Sequence, residues 1–282
     1  RMEARSIEKI QDRLERITRK WWFLSAILLI SFFTPPYVSQ GYDPRETPEI
    51  IQAVLSNPLI YKFPALLILA KAISIALIAA IIFFREKAAP FFNIYVVILM
   101  VALALFQNAA VTSKYGLVII LGNVVTVLVV ALFWIWETIA KRNNFAPLRQ
   151  PLWRFWVAPL AFLAFWFPVD TTSITPRFSL LSLFTNEAGL TWCMMAPVIL
   201  AALTLFYPHV NKATFRVTGF VGIIFGTINL FTWFILKPSM WWMGVLHLPL
   251  FLISIYAFAL SMTGPGAIVS EEANLSQTNL KR

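Results

Sequence analysis

Eight long apolar runs, separated by short segments that carry most of the charges, constrain this chain more than any other feature. A helix needs about 20 apolar residues to cross the hydrocarbon core of a bilayer, which is roughly 30 Å thick. The first and fifth runs are the shortest, and they end at Pro35 and Pro168, where proline favours the end of a helix. The sequence therefore predicts an all-α polytopic membrane protein with eight transmembrane helices. The runs cover residues 21–38, 63–84, 91–111, 117–139, 153–169, 190–207, 217–236 and 241–262.

Composition excludes several other classes of protein. Hydrophobic residues make up 59% of the chain and charged residues only 13%, whereas a soluble domain carries about 25% charged residues. A single cysteine, Cys193, excludes an intramolecular disulfide and a multi-cysteine metal site. The two histidines, His209 and His247, cannot supply the four ligands of a two-haem cytochrome. Nucleotide-binding and catalytic motifs are lacking, so we expect no cofactor, no metal and no enzymatic activity.

The distribution of basic residues predicts the orientation of the chain. Of the 23 Lys and Arg residues, 17 fall on the N-terminal side of an eight-span topology, 5 fall on the opposite side, and Lys71 lies inside a run. Cytoplasmic loops of membrane proteins are enriched in Lys and Arg. We therefore expect a multi-pass protein of the cell membrane with both termini in the cytoplasm. The net charge of +10 then reflects membrane topology, and no nucleic acid partner is expected.

Residues 2–20 are expected to form an amphipathic cytoplasmic helix. Ile7, Ile10, Leu14 and Ile17 recur at spacings of three and four, which places them on one stripe of a helix. The stripe could bind a cytoplasmic partner or a second copy of the chain. We favour a helix that lies on the lipid headgroups or against its own loops, because two heptads make a weak coiled coil.

Three further segments lie outside the predicted spans. The outer loop 39–62 is expected to hold one short helix, with Thr47 as its N-cap and Pro48 at its first position. In the loop 170–189, the apolar stretch 176–184 is too short to span and is expected to be re-entrant or interfacial. Residues 263–282 are expected to form a polar C-terminal tail.

The eight runs divide into two sets of four at the cytoplasmic linker 141–152. This division predicts one four-helix half over residues 21–140 and a second over residues 153–262. Both halves begin with a short aromatic span that ends at proline, and both contain a buried Asn late in the third span. A repeat of four spans preserves orientation, so the halves would be related by a two-fold axis along the membrane normal.

Few polar residues occur inside the runs, and no Asp or Glu lies in the middle of one. Because an unpaired polar group in hydrocarbon costs several kcal/mol, such residues face the bundle interior or a cavity. We take five of them as candidate substrate-binding residues: Lys71, Asn108, Asn123, Asn229 and His247.

Each candidate also has a structural interpretation. Lys71 could bind an anion, or it could extend towards water or be capped by carbonyls of a broken helix. His247 could transfer a proton or could be a hydrogen-bonded packing residue. Asn108 and Asn229 could bridge neighbouring helices. For Asn229 we favour packing, because it continues the stripe of Gly219, Gly222 and Gly226.

Two functions fit these observations. The first is a carrier or channel for a small neutral or anionic solute, with a site between the two helical halves. The second is a non-catalytic membrane anchor or receptor-like subunit of a larger complex, docked through residues 2–20. An intramembrane lipid-modifying enzyme fits less well, because no acid–base pair or metal triad is visible in the sequence.

Overall fold

This computed structural model of the chain describes residues 2–170 and 173–263, which are predominantly helical, as predicted. Apart from Thr263, the predicted C-terminal tail lies outside the described residues. The helices are α1 Met2–Ile17, α2 Trp21–Phe33, α3 Thr47–Ser56, α4 Pro64–Phe84, α5 Ala89–Ala102, α6 Leu121–Ala140, α7 Val157–Trp166, α8 Ser182–Thr185, α9 Trp192–Leu205, α10 Lys212–Phe231 and α11 Trp241–Met262. Helix α5 continues as a π-helical turn over Leu103–Gln107, and α10 continues as one over Thr232–Leu236.

Four helical stretches of the described chain are long and apolar enough to cross a membrane. They are Pro64–Gln107, Leu121–Ala140, Lys212–Leu236 and Pro238–Met262. A fifth passes the same test only as a pair, Ser182–Leu190 with Trp192–Leu205, which is bent by 97°. Helices Trp21–Phe33 and Leu152–Trp166 are apolar but shorter.

The stretch Pro64–Gln107 is not a single straight rod. The Tyr95 and Ser74 hydroxyls are 2.6 Å apart although the residues are separated by 21 positions; in a straight helix they would be about 30 Å apart. The chain reverses at Arg85, whose φ is 52°. Helices α4 and α5 therefore lie side by side and antiparallel, as the separate runs 63–84 and 91–111 predict.

Two small antiparallel sheets occur in the connections, and neither was expected from the sequence. Strand β1 (Tyr37–Val38) pairs with β3 (Gly116–Ile119), which pairs with β2 (Ala109–Thr112). Strands β4 (Val169–Asp170) and β5 (Thr175–Pro176) form the other sheet. The predicted helical runs 91–111 and 117–139 were thus too long at their facing ends. Their β-branched residues are as apolar as a helix interior, so hydropathy alone did not separate strand from helix.

The loop 39–62 contains the expected short helix, α3, but its cap differs from the prediction. Glu46 occupies the cap position, and the Thr47 hydroxyl donates a hydrogen bond to the Pro44 carbonyl at 2.8 Å. Helix α3 covers one face of the three-stranded sheet, where Ile50 and Val54 are fully buried beside Val118. Helix α3 and the three-stranded sheet therefore form a small folded unit.

The main core lies between α5, α6, α9 and α10. Trp134 of α6 is fully buried there, and its indole Nε1 donates a hydrogen bond to the Thr218 hydroxyl of α10 at 3.1 Å. Helix α11 approaches α10 closely over the predicted glycine face: a Cβ atom on Gly226 would lie 3.0 Å from Phe251 Cα. Glycine at this position allows the two backbones to meet.

Helix α1 packs on the bundle through a different stripe from the one that the sequence predicts. Gln11 and Thr18 are buried, with Leu14 between them, whereas Ile10 is 45% exposed. The Gln11 amide donates a hydrogen bond to Asn211 Oδ1 at 3.0 Å. The packed face of α1 is therefore rotated away from Ile10, and polar contacts of Gln11 and Thr18 contribute to it together with the apolar contact of Leu14.

Candidate functional site

Lys71 of α4 is fully buried, and its ammonium group is held by backbone carbonyls of the second half of the chain. Its Nζ donates hydrogen bonds to the Phe165 carbonyl and, at 3.2 Å, to the Ser182 carbonyl. It also lies 4.1 Å from the centroid of the Phe165 ring. Phe165 is in the last turn of α7, where carbonyls lack partners within the helix and the helix dipole is negative. Lys71 thus caps the end of α7, in agreement with the carbonyl-capping interpretation.

Glu187 lies close to Lys71 in the segment that leads into α9. No ion pair within 4.0 Å joins the two side chains among the described residues. The Oε2 atom of Glu187 is buried and has no hydrogen-bond partner in the described chain. Two residues on, Gly189 packs directly on α4: a Cβ atom there would lie 3.1 Å from the Lys71 backbone nitrogen.

The bend between the Glu187 segment and α9 is held by side chains of the first half. The Tyr61 hydroxyl lies 2.6 Å from the Thr191 hydroxyl, which donates to the Glu187 carbonyl at 2.9 Å. The Gln107 side-chain oxygen accepts a hydrogen bond from the Trp192 backbone amide at 3.0 Å. Because Trp192 is the first residue of α9, this amide has no partner within its own helix.

Asn229 of α10 also contacts the start of α9. Its Nδ2 donates to the Phe225 carbonyl at 2.8 Å and contacts Cys193 Sγ at 3.4 Å. The polar groups around the broken helix thus come from both halves of the chain. We refer to the following residues as the junction site: Tyr61, Lys71, Gln107, Glu187, Thr191, Cys193 and Asn229.

The remaining candidates make their contacts elsewhere. Asn123 Nδ2 donates to Asn108 Oδ1 at 3.0 Å, and Asn108 Nδ2 donates to the Leu103 carbonyl at 3.0 Å. This pair therefore ties the end of the π-helical turn to the start of α6. His247 bonds through Nδ1 to the Met243 carbonyl of its own helix at 2.7 Å, and its ring lies 6.3 Å from that of Trp233. Of the five candidates, the structure joins Asn108 to Asn123 and places Lys71 and Asn229 along the junction site.

A second buried polar cluster, which the sequence analysis missed, lies where α1 meets the bundle. Glu137 at the end of α6 is fully buried. Its carboxylate accepts hydrogen bonds from Asn211 Nδ2 at 2.8 Å, from the Asn143 backbone amide at 2.7 Å and from Asn93 Nδ2 at 3.2 Å. Asn211 also caps α10, accepting from the Ala213 and Thr214 amides. An Asn immediately before a helical run is a readable cap signal, and it could have pointed to this cluster.

Arg216 is the second fully buried cation, and it also pairs with carbonyls and a hydroxyl. It donates to the Ser261 carbonyl at 2.6 Å, to the Glu15 carbonyl at 3.1 Å and to the Thr18 hydroxyl at 2.6 Å. Glu15 and Ser261 lie in the last turns of α1 and α11, so one guanidinium group caps two helix ends. Arg216 therefore anchors α1 to both α10 and α11.

Within residues 2–170 and 173–263, no group of three or more His, Cys, Asp or Glu residues is arranged to hold a metal ion. No protein-family model matches this chain, and no curated protein or solved structure matches it at a significant level. Any functional assignment therefore depends on the chemistry and placement of the residues described above.

Proposed function

We propose that this chain is an integral protein of the cell membrane that crosses the bilayer eight times, with both termini in the cytoplasm. Side chains that would face lipid are large and apolar, including Phe83 on α4, Ile98 on α5 and Leu132 on α6, which are all exposed. Lys and Arg are more numerous in the connections on the N-terminal side than in those on the opposite side, which supports the same orientation. The spans would be α2, α4, α5 with its π-helical turn, α6, α7, α8–α9, α10 with its π-helical turn, and α11.

The order of elements supports two related four-helix halves. Each half begins with a short apolar helix, and a two-residue strand, a short helix and a 3₁₀ turn follow in that order; the first half has an added 3₁₀ turn before its short helix, and the second half has an added strand, β5. In each half the third proposed span then ends in a five-residue π-helical turn, and a fourth span completes the half. π-Helical turns are rare, so their occurrence at corresponding places is a specific similarity.

We further propose that the protein is a carrier or channel for a small neutral or anionic solute that passes between the two halves. The observation that carries this proposal is the 97° break before α9, which lies against the buried Lys71 and the unpartnered Glu187 oxygen. Broken helices beside buried ionisable groups at the interface of repeats are typical of substrate sites in transporters. Three of the candidate substrate-binding residues lie outside the junction site but remain candidates for the solute pathway: Asn108, Asn123 and His247.

The junction site favours a solute that can both accept and donate hydrogen bonds. An ammonium group has three N–H donors, and two of those on Lys71 already bond to carbonyls. The third is left for an acceptor atom of the solute, while Glu187 Oε2 can accept from a donor group. A bare metal cation is disfavoured by the adjacent Lys71.

Stopped-flow light scattering of proteoliposomes tests this proposal. Urea and glycerol serve as neutral probes, and potassium nitrate and phosphate, with valinomycin, serve as anionic probes. We expect faster re-swelling than in protein-free vesicles for at least one probe, and loss of that difference in Lys71→Met and Glu187→Gln. Lys62→Met, which changes an exposed lysine, is the matched control and should retain transport. If inserted, folded protein accelerates no probe, the transport proposal is wrong.

The alternative is a non-catalytic anchor or receptor-like subunit, with residues 2–20 docking a cytoplasmic partner or a second copy of the chain. The observation that favours it is the outward face of α1, whose charged residues are exposed. A stoichiometric soluble subunit that co-purifies in mild detergent, with no transport in liposomes, would select this alternative.

A further inference from the structure

The N-terminal helix α1 presents four different faces around its axis. The face that packs on the bundle carries Gln11, Leu14 and Thr18. Since successive residues of an α-helix are turned by about 100°, the other side chains can be placed relative to this face. The three remaining faces are acidic, basic and apolar.

The acidic face borders an open pocket at the surface of the protein. Glu8, Asp12 and Glu15 recur at spacings of four and three and line a cavity of about 300 Å³ beside the chain segment 208–212. Arg142 and Lys212 line the same cavity, so its charges are mixed. This face is therefore opposed by cations of the same chain.

The basic face points away from the bundle. Arg5, Lys9, Arg13 and Arg16 recur at spacings of four, four and three, and all four are exposed. No ion pair joins any of these side chains to a carboxylate of the described chain. A row of exposed cations without internal partners is suited to an anionic surface.

An apolar flank lies between the basic face and the packed face. It carries Ile10, which is 45% exposed, and the half-buried Ile17. On the helix this flank is opposite Glu8. It is rotated by about 90° around the helix axis from the packed face, and by about the same angle from the basic face. Trp21 and Trp22, at the start of α2, are also exposed, and tryptophan is enriched at the level of lipid headgroups.

We propose that α1 is a binding surface for anionic phospholipid headgroups on the cytoplasmic leaflet, an inference that rests on the proposed membrane location. With the apolar flank turned into the bilayer, the packed face meets the bundle and the basic face meets the phosphates of neighbouring lipids. The acidic face then points away from the membrane. A helix that lies on a bilayer beside a bundle has four surroundings: the bilayer interior, the bundle, the lipid headgroups and the solvent. Each face of α1 thus matches one of these surroundings.

Hydrogen bonds within the chain hold α1 in this orientation. Arg216 fixes the end of α1 through the Glu15 carbonyl and the Thr18 hydroxyl, and Gln11 bonds to Asn211 at 3.0 Å and accepts from Trp136 Nε1 at 2.7 Å. A rotation that turned the basic face from the lipids would break these bonds. The surface is therefore preorganised, which lowers the cost of binding.

Fluorescence quenching by brominated lipids tests the proposal on the full chain in nanodiscs. In a Cys193→Ala background, a bimane fluorophore is attached at Ile10→Cys or, as the matched position on the opposite face, at Glu8→Cys. We expect strong quenching at position 10 and weak quenching at position 8. At equal mole fraction, brominated phosphatidylglycerol should quench position 10 more than brominated phosphatidylcholine does.

The second part of the test neutralises two residues of the basic face. Lys9→Gln with Arg13→Gln should abolish the preference for phosphatidylglycerol, so that both lipids quench equally. The control pair Lys87→Gln with Arg149→Gln, which removes exposed charges from other connections, should leave the preference intact.

Three outcomes would overturn the inference: equal quenching at positions 8 and 10, equal quenching by both lipids, or protection of position 10 by a bound protein. Failure of the chain to enter nanodiscs would instead contradict the proposed membrane location. Loss of solute transport alone would not contradict the inference that α1 binds anionic lipid headgroups.

Discussion

At the scale of single residues, the two fully buried cations donate hydrogen bonds to carbonyl groups at helix ends. Lys71 bonds to the carbonyl of Phe165 near the end of α7, and Arg216 bonds to carbonyls in the last turns of α1 and α11. The partial negative charge at a helix C-terminus makes this possible without a carboxylate in contact. The presence of both cations could be read from the sequence, but their partners could not, because 94 positions separate Lys71 from Phe165.

Replacing Lys71 should lower the stability of the fold, whether or not the proposed transport is correct. Lys71→Met keeps the apolar stem but leaves the Phe165 and Ser182 carbonyls without their donor. An unsatisfied buried acceptor costs about 1–3 kcal/mol, so we expect a lower Tm in detergent. Lys62→Met, at an exposed position, should leave Tm nearly unchanged. An unchanged Tm in Lys71→Met would contradict the capping role.

The small folded unit of α3 and the three-stranded sheet contains a partly exposed ion pair with a predictable pH dependence. Lys114 Nζ lies 2.9 Å from Glu46 Oε1, and the Tyr115 hydroxyl donates to Glu46 Oε2 at 3.0 Å. The hydrogen bond from Lys114, and then that from Tyr115, lower the pKa of Glu46. A lowered folded-state pKa means that the contribution to stability is present at neutral pH and is lost as the pH falls through that value.

NMR titration of the Glu46 carboxyl group tests this pair. We expect a midpoint below the ordinary value of glutamate in the wild-type chain and an upward shift in Lys114→Met. Lys237→Met, a change to another basic residue on the same predicted side, should not move the Glu46 midpoint. Equal midpoints in the wild-type chain and Lys114→Met would show that the ion pair is absent in solution.

At the scale of elements, the glycine face of α10 decides how closely α11 can pack. A Cβ atom on Gly222 would lie 2.1 Å from Ser254 Oγ, and one on Gly226 would lie 3.0 Å from Phe251 Cα. The sequence predicted a small-residue face here but did not show which helix it meets. The structure assigns α11 to the glycines, and Asn229 bonds beyond them to Cys193 of α9.

Alanine substitution tests this packing. In Gly226→Ala the added methyl group meets backbone atoms of α11, so the helices must separate. Overpacking of this kind costs about 1–3 kcal/mol, and we expect Tm to fall. Thr227→Ala, on the exposed side of the same turn, is the matched control and should change Tm little. Comparable Tm values for the two variants would contradict the close approach.

At the scale of the whole molecule, the proposed eight-span orientation predicts which positions can be reached from each side of the membrane. In a Cys193→Ala background, Asp43→Cys should react with an impermeant maleimide on intact cells, because the proposal places loop 39–62 outside the cell. Arg142→Cys should react only after the membrane is permeabilised. Labelling of Arg142→Cys in intact cells would overturn the orientation.

Length and hydropathy alone were sufficient to predict a helical fold with long apolar helices, because both are properties of a continuous segment. They failed at 109–119, where apolar β-branched residues form a hairpin, and at α1, where polar residues face the bundle. In the first segment the secondary structure depends on strands from distant parts of the chain. At α1 the choice of packed face depends on side chains from distant parts of the chain.

The sequence by itself therefore determined which segments are helical, where many of them end, and which few polar residues lie within the long apolar runs. Only the tertiary structure decided which of those residues meet. Gln11 bonds to a partner 200 positions away, and Tyr61 to one 130 positions away. The physical reason is that helix formation follows from local geometry, whereas a hydrogen bond between helices exists only after packing has brought their faces together.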